Sequence, residues 1–102
     1  MTVDSRGNWD VHQTNGATVH MNLDQDRAGN VSGDAFVNGV HGGCQGFVRG
    51  DDFLVTIAWD NGPKGRYTGH LGLDLRLSGE TVDINNPGST ATWFSDPLPA
   101  MV

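Results

Sequence analysis

Cysteine is almost absent: Cys44 is the single one in 102 residues, which excludes an intrachain disulfide and a thiolate metal cage. Basic residues are scarce too, six Lys and Arg against twelve Asp and Glu, with no cluster able to neutralise a phosphate backbone. Nucleic acid is therefore not an expected partner. No apolar run is long enough for a signal peptide or a membrane helix, and no stretch of ten residues repeats with helical period. Phosphate loops, dinucleotide fingerprints and serine elbows are missing, since Gly42-Gly43 opens no helix. Glutamate occurs once, at Glu80, and its strand parity points it outward, so a carboxylate pair for glycoside hydrolysis has no obvious members. Noncatalytic chemistry is the expectation, with no cofactor and no metal.

What the chain does contain is a turn signal roughly every ten residues, each separating short alternating apolar runs. Eight such runs can be counted. The first, about Gly7 to Gln13, carries Trp9 and Val11 at odd positions; Thr14-Asn15-Gly16 then leads into Ala17 to Leu23, with Val19, Met21 and Leu23. A hairpin centred on Gly16 puts all five on one face and sets His12 across from His20. Further runs span about Val31 to Val37, Val40 to Val48, Phe53 to Trp59, Gly65 to Leu71, Leu75 to Asp83 and Ser89 to Ser95. Asn38-Gly39, Asp51-Asp52, Asn61-Gly62-Pro63 and Asn85-Asn86-Pro87-Gly88 divide them. Gly42, Gly43 and Gly46 suit the bends by which a small barrel closes.

One domain over 1-102 is expected, all-β, as an eight-stranded antiparallel up-and-down β-barrel with strands within about 6-95 and a short tail. Two packed sheets would satisfy the same alternation. In the barrel, the turns near Gly16, Gly39, Asn61 and Asn86 share one end, the mouth. The mouth should collect Gln13, Trp59, Tyr67, Thr81, Asp83 and Trp93, a mixture of aromatic walls and polar tips suited to a small ligand. Phe94 beside Trp93 leaves one aromatic for the interior and the other for a surface or subunit contact, so a homo-oligomer is a further expectation. Asn15, Asn38, Asp60, Asn61, Asn85 and Asn86 at the mouth can bind sugar hydroxyls or simply make the turns. His12 with His20 is a two-imidazole set short of a metal site, and Asp24, Asp26, Asn30 and Asp34 only faintly echo a calcium loop. Cys44 reads as a small buried apolar group.

Gly7-Asn8-Trp9, opening the first strand of an eight-stranded meander, resembles the entry signature of the calycin superfamily, which includes lipocalins, fatty-acid-binding proteins and avidins. Brevity and Gly/Thr/Trp-rich strands make the chain most similar to a small avidin-like bacterial β-barrel. The resemblance implies that Trp9 closes the barrel floor under a basic side chain from a late strand, for which Arg76 is the available residue. It also implies ligand binding and oligomers; biotin does not carry over, because the strands lack its full ligand shell. Low lysine with abundant Gly, Asn and Thr suits an exported bacterial protein. The expected function is noncatalytic binding of a small organic or carbohydrate ligand at the barrel mouth. A filled-barrel structural or protein-interaction module is the alternative, and a small barrel enzyme a more distant one.

Overall fold

The computed structural model describes residues 2–102, and every regular element among them is a strand. Eight strands form in chain order: β1 (Gly7–Gln13), β2 (Thr18–Gln25), β3 (Asn30–Val37), β4 (Val40–Arg49), β5 (Asp52–Trp59), β6 (Lys64–Leu71), β7 (Leu77–Asp83) and β8 (Asn86–Ser95). Each pairs antiparallel with its neighbour in sequence, and β1 pairs with β8, closing an up-and-down barrel. The closing seam is short, running from Val11 paired with Ser95 to Gln13 paired with Trp93, so closure covers only part of the two edges.

Alternation decides which side chains fill the interior. Trp9, Val11, Val19, Met21, Leu23, Val31, Ala35, Phe53, Val55, Ile57, Tyr67, Leu71, Leu77 and Trp93, all at odd positions, are buried. β4 is the exception, because its even residues Gly42, Cys44 and Val48 point inward. The cause is the two-residue turn Asn38-Gly39, whose residues both have positive φ, 49° and 80°, and which pairs Val37 with Val40. Residues directly opposite one another share a face, so an odd residue paired with an even one reverses the parity. The Gly50-Asp51 turn pairs Arg49 with Asp52 and restores it.

The first hairpin is centred one residue earlier than its Asn-Gly signal implies. Trp9 pairs with Met21 and Val11 with Val19, about Asn15. A shift of one residue in the centre moves the pairing by two, so the buried face is preserved while the outward pairs change. His12 therefore faces Thr18, and His20 faces Asp10.

Several strand limits shift by one to three residues from the sequence expectation, and two of the shifts have a local cause. β7 starts at Leu77 because Gly72 to Arg76 forms a closed loop, in which Leu75 adopts φ 64° and donates its N–H to the Gly72 carbonyl. β8 begins at Asn86, where Asp83 pairs with Asn86 but Val82 pairs with Thr90. Pro87 and Gly88 fall within that irregularity, where missing ladder bonds are tolerated.

An aromatic column fills the barrel from end to end. Tyr67 meets Trp93 at 6.0 Å between ring centroids, Trp93 meets Phe53 at 6.2 Å, and Phe53 meets Trp9 at 5.8 Å, each edge to face. This is the arrangement that the ring quadrupoles favour. Below Trp9 the floor is closed by chain segments outside the strands: Val3, Ser5 and Leu98 are buried there. The Trp9 indole N–H donates to the Ser5 carbonyl at 2.9 Å, and Gln25 ties the same segment to β2 through Ser5 and the Val3 carbonyl. Arg76, expected over Trp9, instead donates to the Ser95 carbonyl at 3.2 Å, because the Gly72–Arg76 loop leaves it outside the β7 ladder.

Candidate functional site: the barrel mouth

At the end opposite Trp9 the interior opens into a cavity of about 150 Å³. Gln13, Trp59, Tyr67, Thr81 and Asp83 line it, five of the six residues expected there. Trp93 does point inward and Phe94 outward, but Trp93 lies one layer deeper, 3% exposed, and its N–H donates to the Glu80 carbonyl at 2.9 Å. It supports the wall through Tyr67 and does not line the cavity.

Each lining group arrives from a strand end. Gln13 ends β1, Trp59 ends β5 and Asp83 ends β7; Tyr67 and Thr81 face one another across the β6–β7 ladder. The Tyr67 hydroxyl donates to Gln13 Oε1 at 2.6 Å, and Gln13 Nε2 donates to Asn15 Oδ1 at 3.2 Å. Asn15 Oδ1 also accepts the Ala17 N–H, so this asparagine both makes the turn and anchors the mouth network. Burial pushes the Tyr67 phenol above its ordinary pKa, opposed by the neighbouring Thr81 hydroxyl. At neutral pH it is a neutral donor committed to Gln13.

Trp59 differs from the other two tryptophans. The indole N–H groups of Trp9 and Trp93 are bonded to carbonyls. That of half-buried Trp59 has no acceptor among the described residues. Two glycines set its position. A Cβ on Gly42, its ladder partner, would come within 2.7 Å of Trp59 Cε3, so the six-membered ring lies against bare backbone. At Gly65 the Cβ position is 3.8 Å from Trp59 Nε1, 3.2 Å from Tyr67 Cε1 and 3.9 Å from Thr81 Oγ1. The missing side chain of Gly65 is thus part of the cavity. Both glycines escaped sequence reasoning: the reversed parity of β4 concealed Gly42 opposite Trp59, and Gly65 on β6 pairs with Ile57, so only the folded sheet shows its closeness to Trp59.

The outer wall organises its polar residues differently. All four histidines contact aspartates: His12 with Asp96 at 2.9 Å, His20 with Asp10 at 2.8 Å, His70 with Asp52 at 3.1 Å, and His41 with both Asp34 at 2.7 Å and Asp60 at 2.9 Å. Those two carboxylates raise the His41 pKa above its ordinary value. His12 and His20 do not converge, and no group of three or more metal-ligating side chains forms among the described residues. The Asp26 carboxylate is taken up by the backbone and side-chain N–H groups of Asn30, which explains the calcium-like spacing as a turn. Burial pushes the Cys44 thiol up to about 12, so it is held as an inert thiol. Glu80 is exposed on the outer face. A larger hollow of about 670 Å³ on that face, beside Phe47 and Leu54, has none of the converging interior side chains of the mouth.

Comparison with known protein families, curated proteins and solved structures finds no match to this chain.

Proposed function

We propose that the protein is a noncatalytic binder that takes a small organic molecule or sugar into the barrel mouth, in keeping with the calycin-like, avidin-like character of its first strand and meander. The observation that carries this reading is the Trp59 indole, left with an unpaired N–H on an open cavity while its two counterparts are satisfied. The indole N–H reaches an open, polar-lined hollow, so a ligand entering it can supply the acceptor. The size of the cavity limits the bound part to about one six-membered ring, since an apolar cavity of about 150 Å³ holds benzene.

The test is a screen of small neutral ring compounds at millimolar concentration by amide and indole NMR. Compounds that bind should shift the indole of Trp59 and the amides of Gln13, Gly65 and Asp83 while leaving the floor around Val3 and Leu98 unchanged. Trp59→Ala should remove the effect with the barrel intact; equal binding by the folded variant refutes the site. A second reading, a filled barrel acting through its wall as an interaction module or homo-oligomer, is favoured by Phe94, which is 51% exposed. Concentration-dependent sedimentation lost in Phe94→Ser would support it.

A further inference from the structure

We infer that the mouth is built for the terminal ring of a neutral saccharide, held end-on with a hydroxyl between Trp59 and Asp83. The inference rests on the binding reading above and deepens it.

The hydrogen-bond inventory of the cavity leads to this class. Tyr67, Gln13 and Asn15 are used on one another. Asp83 accepts the Asn85 N–H at 3.0 Å through Oδ1, and no hydrogen bond engages Oδ2. Over Gly65 two functions have no partner among the described residues, a donor, Trp59 N–H, and an acceptor, Asp83 Oδ2; Lys64, Thr81, Ser89 and Thr90 add further polar groups to the same lining. Gly65 brings them together, being the ladder partner of Asp83 and lying beneath the Trp59 indole nitrogen. A group lodged over Gly65 must accept from one side and donate to the other. A hydroxyl does both, having one donor and two lone pairs.

Other small ligands complete only half of the site. An ammonium has donors alone, so it satisfies Asp83 and offers the Trp59 N–H no acceptor. A carboxylate has acceptors alone: it could take the Trp59 N–H and meet Lys64, but it leaves Asp83 facing a like charge. A purely apolar ring leaves both unpaired. A pyranose adds C–H faces that pack against the aromatic wall of Trp59 and Tyr67.

Depth selects the end of a saccharide and excludes its middle. Tyr67 bonded to Gln13 closes the cavity beneath, with Trp93 under Tyr67, and the volume of about 150 Å³ admits one ring. A chain lying across the mouth would need an exit on both sides. Asn15, Pro63, Lys64 and Ser89 border the opening instead, where they would meet the aglycone or the next sugar.

The experiment uses the full chain with four probes, the methyl pyranosides of glucose, galactose, mannose and N-acetylglucosamine, and two controls, benzoate and benzyltrimethylammonium. Three indole N–H resonances are expected, with that of Trp59 assigned by its loss in Trp59→Phe. At least one pyranoside should shift this resonance downfield and saturate. Trp59→Phe, which keeps an aromatic wall without the donor, should weaken binding by about three- to tenfold, the range of one neutral hydrogen bond. Gly65→Val should abolish it; Gly65→Ala, whose Cβ meets nothing closer than 3.2 Å, serves as the milder block if the valine variant fails to fold. Unchanged affinity in Trp59→Phe overturns the assigned hydroxyl contact. Binding of a control ring, blocked by Gly65→Ala, with no pyranoside bound overturns the saccharide while the mouth remains a binding site. No response to any probe overturns both.

Discussion

Replacing Phe53 and Phe47 in turn by alanine separates the inside of this barrel from its outside. The two residues lie on adjacent strands, with Val48 paired to Phe53 and Phe47 paired to Leu54. Phe53 is 2% exposed and links Trp9 to Trp93 in the aromatic column; Phe47 is 44% exposed on the outer face, with the Arg49 guanidinium 6.0 Å from its ring. Phe53→Ala removes a fully buried ring and leaves a cavity that rigid ladders on both sides resist closing, a loss of about 3–5 kcal/mol. Phe47→Ala loses half-hydrated surface and one exposed cation–π contact, about 1 kcal/mol or less. A domain of this length has about 5–15 kcal/mol in total, so the first variant should still fold but sit close to its limit. In urea, with a slope of about 1.5 kcal/mol/M, the two midpoints should differ by more than about 1 M with unchanged slope. Equal midpoints, or a Phe53→Ala loss under about 1.5 kcal/mol, would refute the inward assignment and with it the cavity above the column.

On β4, Gly46→Ala should destabilise by about 1–3 kcal/mol or more, because its Cβ would collide with the Leu54 carbonyl; Gly43→Ala, with open space around it, should be neutral or stabilising by up to about 1 kcal/mol. Thermal melts of the pair check this. The Cys44 thiol, buried and pushed up to about 12, should react with a thiol reagent at pH 8 only as fast as the barrel opens, and at once in denaturant. His41 should titrate in NMR above 6.5, and Asp34→Asn with Asp60→Asn should return it toward that value. Because the folded-state pKa is raised, its contribution to stability is complete below the unfolded value and fades as pH climbs through the folded one.

Much of this architecture was local enough to be legible in the chain. Period-two alternation in Phe53 to Trp59 and the Asn-Gly punctuation at Asn15-Gly16 and Asn38-Gly39 depend on neighbouring residues alone, and they sufficed for strand number, strand order and the inward face of seven strands. Five mouth residues followed from the same parity, since in an up-and-down meander the strand ends alternate between floor and mouth.

Pairing and contact belong to the tertiary structure. Which residue opposes His12, and which face β4 presents, depended on turn centres that a one-residue change relocates without disturbing the hydrophobic pattern. The floor plug of Val3, Ser5 and Leu98, and the diversion of Arg76 to the Ser95 carbonyl, come from segments with no periodicity to read. Alternation could place Trp9 and Trp59 on the inner face and left the third place to Trp93 or Phe94. Only closure of the ring of strands could bring carbonyls to Trp9 and Trp93 and leave Trp59 over two bare glycines, because a hydrogen-bond partner is chosen by distance through space, to which order along the chain is blind.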